Sequence, residues 1–277
     1  MKILNDHAKK QHSSDPYEFF IIDDFLDPET YSLMRKEFYS VINDIAEWQK
    51  EFGIAYSTNE VLDKPIYIYG GTSTIDSYTD VRNKFADKVT FKKFLDSLLD
   101  KGFVNNIIQP IILKKTKIWD PTEKLNFFNK LFYNNLTFSI KFSRSTPGSG
   151  IALHPDNYPK VISMLLYFGW SDGKKREGQG TQIYKKDSNF PNPIHHCYFS
   201  HKNFKLHKDV TPVENRLMGF VAGQNSWHGV DPNSCTEKAD VTRDVLQINL
   251  IKHTNYKGMA KFIANCKVKI KKTLKSN

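Results

Sequence analysis

His154-Pro155-Asp156 sets an imidazole and a carboxylate two residues apart, and Trp227-His228-Gly229 supplies a second imidazole far downstream. Two imidazoles and one carboxylate suit a divalent metal gripped on one octahedral face, as in non-haem iron(II) sites, with the opposite face open to ligands. In an extended segment residues i and i+2 project to the same side, so His154 and Asp156 can reach one ion together. Pro155 between them fixes φ and removes a backbone donor, which suits the end of a strand better than a ladder interior. The third ligand must then come from another strand, and His228 fits that need. Thr242-Arg243-Asp244 adds a planar, permanently charged guanidinium that can hold a carboxylate by two hydrogen bonds. An isolated His-x-Asp is common by chance; the ordered set is far more specific. His195, His196, His201 and His207 compete less well, because they fall in a Pro- and Asn-rich connection where exposed histidines are the default. His207 with Arg216 is the best decoy among them.

Such a set needs strands to carry it. Leu136–Phe142 alternates with a period of two, as a half-buried strand does, and Ser145–Gly150 reads as a turn. Val161–Phe168 is a nearly unbroken apolar run, fitting a central strand. Thr181–Tyr184, Arg216–Val221 and Val241–Lys252 are further strand candidates. In the last, Arg243, Val245, Gln247 and Asn249 share one face, and Asp244, Leu246, Ile248 and Leu250 share the other. Arg243 is thereby aimed at a cavity while the aliphatic face packs under helices, or the reverse. Gln247 and Asn249, if they face that cavity, favour a polar substrate. Several short strands with turn signals between them predict a sandwich or jelly-roll.

The front half reads differently. Glu18–Ile22 is a buried strand stopped by Asp23-Asp24, and Asp27-Pro28 opens a helix as N-cap and first helical residue. Helical spacing runs on toward Trp48 and returns over Phe91–Leu99 and Pro121–Tyr133. Residues 53–78, with Gly70-Gly71 and Tyr56, Tyr67, Tyr69 and Tyr78, are expected to be an irregular, lid-like loop over the mouth of the site. The organisation expected is one α+β globular domain: a polar tail over 1–14, a mainly helical support region over 15–134, a β core over 135–255 and a basic tail over 256–277.

Composition bounds the partners. The chain has 277 residues, 39% hydrophobic and 13% aromatic, enough for one large core. Its formal charge of +10 is concentrated at one end, where Lys252 to Lys275 contains a series of lysines and no acid. The main body is therefore close to neutral, which argues against a nucleic-acid partner. The tail is expected to be a solvated basic helix, with an anionic partner as the sharper alternative. The polar first residues resemble no signal peptide, and no apolar run is long enough for a transmembrane helix. Cys197, Cys235 and Cys266 form neither a metal pair nor a disulfide framework, so a reducing, cytoplasmic setting is expected. Such a setting also keeps iron ferrous.

Taken in order, Gly148–Asp156, Met164–Phe168, Gly178-Gln179-Gly180-Thr181, Trp227–Val230 and Thr242-Arg243 resemble the 2-oxoglutarate and iron(II)-dependent oxygenases, most nearly the prolyl-4-hydroxylase-like subgroup. The opening Ile21–Leu26 is similar too, and the resemblance covers roughly residues 16–252. It implies a double-stranded β-helix, a jelly-roll variant, with helices of the N-terminal half supporting it. It implies iron(II) on His154, Asp156 and His228, and the distal carboxylate of 2-oxoglutarate on Arg243. A tyrosine often assists that arginine, and Tyr167 and Tyr184 are the candidates. The implied reaction uses O2 to hydroxylate a peptidyl residue, a free amino acid or another small metabolite, releasing succinate and CO2, with ascorbate compatible as an auxiliary reductant. Asp156 marks a hydroxylase, since related halogenases carry a small residue there. Asn249 stands where the nucleic-acid demethylases carry a second arginine. The chain departs from the pattern in a longer gap between His228 and Arg243, with Asp231–Asp240 as an inserted loop, and in Gly178-Gln179-Gly180 where a Gly-Gly pair is commoner. The alternative reading is a non-catalytic, cupin-like metal- or ligand-binding protein, which would need no arginine at position 243; a binder driven by the basic tail is a third.

Overall fold

The strand Lys160–Trp170 lies at the middle of the protein because both of its faces are apolar. In the computed structural model, the residues described are 2–43, 66–69, 87–98, 103, 135–145, 151–156, 160–190, 203–231, 241 and 243–253. They form β1 (Lys9–Ser13), β2 (Phe19–Asp23), α1 (Pro28–Asn43), β3 (Ile66–Tyr69), α2 (Val89–Leu98), β4 (Asn135–Ser145), β5 (Ile151–Pro155), β6 (Lys160–Trp170), β7 (Thr181–Lys186), β8 (Phe204–Val210), β9 (Arg216–Val221), β10 (Trp227–Val230) and β11 (Arg243–His253).

Two antiparallel sheets result, one ordered β1-β2-β9-β6-β11-β4-β3 and the other β5-β10-β7-β8. Followed along the chain from β4, the strands switch between sheets: β4 major, β5 minor, β6 major, β7 and β8 minor, β9 major, β10 minor, β11 major. That alternation is the winding of a double-stranded β-helix, and with the two helices it makes an α+β jelly-roll.

Period-two alternation distributes the core. Ile162, Met164, Leu166 and Phe168 of β6, with Leu246, Ile248 and Leu250 of β11, pack in one cluster with Met34 and Phe38 of α1 and Phe91, Phe94 and Leu95 of α2. Phe38 stacks on Phe168 with ring centroids 3.9 Å apart. Burying each such ring stabilises the fold by roughly 1.5–3 kcal/mol. The opposite faces of the same strands meet the minor sheet, where Tyr167, Val245, Met218 and Phe220 pack with Ile183 and Val210. A strand covered on both sides reads as an apolar run, which is why Val161–Phe168 shows no alternation.

The helices are placed by their termini. Asp27 Oδ1 accepts hydrogen bonds from the Glu29 and Thr30 amides (3.1 and 3.2 Å), capping α1 as its sequence predicts. The Glu37 carboxylate of α1 accepts from the Thr90 and Phe91 amides (3.0 and 2.6 Å), so one helix neutralises the N-terminal dipole of the other. No described helix is long and apolar enough to cross a membrane.

Three local expectations are corrected. Lys9–Ser13, inside the expected polar tail, pairs with β2 from Lys9↔Asp23 to Ser13↔Phe19. Ile66–Tyr69, inside the expected loop, pairs with β4. His207, assigned to a connection, lies on β8 at the edge of the minor sheet. All three are edge strands; Lys9–Ser13 and Phe204–Val210 are largely polar and form through backbone pairing without an apolar code, whereas Ile66–Tyr69 is rich in β-branched and aromatic residues. The helical pattern at Pro121–Tyr133, the rest of 53–78, the tail at 256–277, and Cys197, Cys235 and Cys266 lie outside the described residues.

The glycines before β7 have distinct physical reasons. Gly178 has a φ of +73°. A Cβ on Gly180 would lie 1.9 Å from the Val210 carbonyl oxygen and 2.4 Å from its carbon, where β8 crosses. Because the obstacle is backbone, Gly180→Ala is expected to destabilise the protein by about 1–3 kcal/mol. Denaturant unfolding should show a lower midpoint at an unchanged m value; an unmoved midpoint would show that β8 can shift away.

Candidate metal centre

Antiparallel pairing of β10 with β5 sets His228 directly opposite His154 and Trp227 opposite Pro155. The imidazole centroids are 4.4 Å apart. Asp156 follows the last residue of β5 on the same side as His154. His154 Nε2 lies 3.9 Å from Asp156 Oδ1, and His228 Nε2 lies 4.0 Å from Asp156 Oδ2. One ligand atom from each residue falls within 4.8 Å of the other two, a spacing that one ion can bridge.

Each donor is held by a named partner. His228 Nδ1 is 2.8 Å from the Ser226 carbonyl oxygen, and a carbonyl can only accept, so Nδ1 carries the hydrogen and Nε2 presents its lone pair toward Asp156. The Ser226 carbonyl is fixed by a tight turn, in which Ser226 N donates to Gly223 O (3.0 Å) and Gly223 N donates to Ser226 Oγ (3.0 Å). Phe220 packs against the His228 ring at 4.4 Å. Asp156 Oδ1 accepts from Lys160 Nζ at 2.7 Å, and Oδ2 accepts a short hydrogen bond from Ser163 Oγ.

Protonation follows from these surroundings. Burial disfavours the Asp156 anion, but His228, the Lys160 ammonium and the Ser163 hydroxyl outweigh it and hold the carboxyl well below the usual range. Burial, reinforced by the neighbouring His154, pushes His228 down to about 3 against the opposing pull of Asp156. At neutral pH the site therefore offers a carboxylate and a neutral imidazole, the forms a metal ion requires, with no proton to displace from either.

The three side chains line a cavity of about 230 Å³, together with Ile151, Lys160, Ser163, Leu165, Thr181, Phe220, Gly229, Val230, Gln247 and Asn249. Strand register orders its wall. Across β11 and β6, Arg243 faces Trp170, Val245 faces Tyr167, Gln247 faces Leu165 and Asn249 faces Ser163. Asn249 therefore stands at the Asp156 end of β11's inward face and Arg243 at the other end. Arg243 is buried, is not among the lining residues, and donates a short hydrogen bond from Nη1 to the Gln179 carbonyl.

The two tyrosines part company. Tyr167 faces the interior between the sheets, its hydroxyl 2.6 Å from Thr181 Oγ1, and Thr181 lines the cavity. Tyr184 lies on the other face of the minor sheet with Leu153, Phe204 and Trp227, and donates to Gln182 Oε1 at 2.8 Å. Its chain neighbour Ile183 takes the inward position, so alternation puts Tyr184 on the face away from the cavity.

Sequence reasoning missed Lys160 and Ser163. Ser163 had a readable signal, being a buried hydroxyl in an apolar strand at an inward position. Lys160 had none beyond its closeness to Asp156 in the chain.

No protein-family model matches the sequence, and no curated protein matches it. Among solved structures, the chain is similar to a Pseudomonas putida prolyl-4-hydroxylase at 15% identity, over 85% of this chain and 92% of that one, with a TM-score of 0.40. It is also similar to HygX from Streptomyces hygroscopicus, solved with nickel, 2-oxoglutarate and hygromycin B bound (11% identity, 84% and 82% coverage, TM-score 0.45). A third is SnoK, a non-heme alpha-ketoglutarate-dependent carbocyclase from nogalamycin biosynthesis (9%, 84% and 79%, 0.46). The superpositions are loose, and the jelly-roll assignment stands on the strand order itself.

The protonation states have a measurable consequence for chelator-treated protein. His228 in the unfolded chain takes up a proton near its ordinary value of 6.5, whereas the folded site resists until about 3. Protons therefore favour unfolding in that window, and Asp156, also lowered, adds loss of stability in the same direction at lower pH. Thermal midpoints should fall by a few degrees between pH 7 and 4, and His228→Gln should flatten that fall. An equal slope in the variant would locate the titrating group elsewhere.

Proposed function

We propose that this protein is a 2-oxoglutarate- and iron(II)-dependent dioxygenase that hydroxylates a small-molecule or peptide substrate. The observation that carries the reading is the convergence of His154, Asp156 and His228 from two paired strands onto one wall of a cavity. Two imidazoles and a carboxylate, with the remaining directions open to the cavity, are the donor set of non-haem iron(II). When bound there with 2-oxoglutarate and O2, iron supplies the oxidising chemistry of hydroxylation, with succinate and CO2 as products.

The chain's own residues do the rest. His154, Asp156 and His228 hold the ion. Ser226 fixes the His228 tautomer through its carbonyl, and Ser163 fixes the Asp156 carboxylate, the kind of support that commonly sets metal affinity. Arg243, at the far end of the inward face, pairs through its guanidinium with the distal carboxylate of the keto acid. Tyr167 reaches that region through Thr181, which makes it the better of the two tyrosines for assisting. Leu165, Phe220 and Val230 give the cavity apolar walls that limit water around the reacting centre.

Anaerobic addition of iron(II) and 2-oxoglutarate is expected to produce the weak visible charge-transfer band of a chelated keto acid. His154→Ala should abolish the band, and Arg243→Ala should weaken keto-acid binding by tenfold or more, about the value of one charge-assisted pair. A folded wild-type protein that binds metal and gives no band would instead be a cupin-like binding protein. Ser163→Ala is expected to lower metal affinity by about 10–100-fold without unfolding the protein, measured by competition with a chromogenic chelator.

A further inference from the structure

Three polar side chains of the cavity, Lys160, Gln247 and Asn249, are left over by the reading above, and two of them stand near Asp156. Lys160 is the only charged lining residue besides Asp156 among the described residues, and its Nζ lies 2.7 Å from Asp156 Oδ1. Asn249 is 2% exposed, lines the same cavity, and its Nδ2 has no hydrogen-bond partner. A buried amide N–H without an acceptor is costly in a native protein, and such an orphan at a cavity wall points to a ligand atom that accepts it. Asn249 faces Ser163 across β11 and β6, and Ser163 is bonded to Asp156, so Asn249 and Lys160 line the same end of the cavity as that carboxylate. Arg243 is six residues earlier on the same face of β11, on the order of 20 Å of strand away. A keto acid anchored by Arg243 approaches the triad from the opposite end.

We propose that Lys160 and Asn249 form a carboxylate-binding subsite for the primary substrate beside the metal centre. The assignment rests on the metal-centre reading. Lys160 and a cation at the triad draw on one carboxylate, and a dication repels the ammonium. Metal binding therefore loosens the hold of Asp156 on Lys160, whose long flexible stem lets the charge turn to an incoming anion. A carboxylate satisfies both groups: one oxygen meets the ammonium and the other accepts from Asn249 Nδ2. A cationic or neutral group there would leave the displaced ammonium without an anion. Among the substrates open to such an enzyme, the pair favours a free carboxylic acid, such as an amino acid or small acid metabolite, over an internal peptide residue.

The test uses the full chain without oxygen, with manganese(II) as the metal. Manganese affinity is titrated first. The protein loaded with manganese and 2-oxoglutarate is then mixed with acetate or with acetamide, and broadening of the methyl proton signal reports approach to the ion. Wild-type protein should broaden acetate and not acetamide. Lys160→Met should bind manganese more tightly, because no ammonium repels it, yet lose acetate affinity by about tenfold, the loss of a charge-assisted contact. Asn249→Ala should keep the manganese affinity and weaken acetate binding several-fold. Acetate broadening that persists in both variants would mean direct coordination to the ion and would overturn the subsite with the triad intact. Acetate excluded whenever 2-oxoglutarate is present would give the subsite to the cosubstrate and equally overturn the proposal. Wild-type protein that binds no manganese would overturn the metal-centre reading, and the subsite with it.

Discussion

His228 opposes His154 in the antiparallel pair of β10 and β5, and the geometry of the site depends on that register. Side chains on a strand alternate between faces, so a slip of one residue would turn an imidazole outward and bring Trp227 into the cavity. The register is protected from the outside. Trp227 and Leu153 are fully buried with Phe204 and Tyr184 on the far face of the minor sheet, and a slip would expose that apolar cluster. The His154-Asp156-His228 triad is thus set by packing on the opposite side of the sheet. Gly229 lets the strands come close at this point, since a Cβ there would lie 2.8 Å from the Ile151 carbonyl oxygen.

Burying a carboxylate beside two imidazoles is costly unless each charge and hydrogen is matched. Here Asp156 has a partner for each oxygen, and His228 stays neutral, so the site holds one anion and one ammonium in contact rather than an unpaired charge. The same arrangement makes Asp156 ready for a cation, because its proton is already lost. Structural satisfaction and chemical readiness come from the same two contacts.

The candidate site residues stand out in the sequence because their spacing is short-range or ordered: His154 and Asp156 follow the strand period, and His228 and Arg243 come later on separate strands. The α1 cap at Asp27-Pro28 and the apolar run of β6 were legible for similar local reasons. Edge strands β1 and β8 were not, because backbone pairing at an edge leaves little apolar pattern to read; β3, Ile-Tyr-Ile-Tyr, carried a strand signal too short to stand out between the tyrosines and glycines around it. The face that Tyr184 takes was not legible for a different reason. Nothing in Thr181–Tyr184 announces which face turns inward; that is decided by Ile183 packing with Val210 and Met218, a long-range fact. Lys160 was invisible because its partnership with Asp156 depends on where the chain re-enters the major sheet.

β6 and β11 show how a stable fold carries a polar site. Their outward positions, Ile162, Met164, Leu166, Phe168, Leu246, Ile248 and Leu250, bind the helices and supply the largest cluster of the core. Their inward positions, Ser163, Leu165, Gln247 and Asn249, face the cavity. Because adjacent residues serve opposite faces, the inward positions can be polar without thinning the helix-facing core. Asn249 can leave a donor unmet only because Ile248 and Leu250 on either side are buried under helices and keep that stretch of strand fixed.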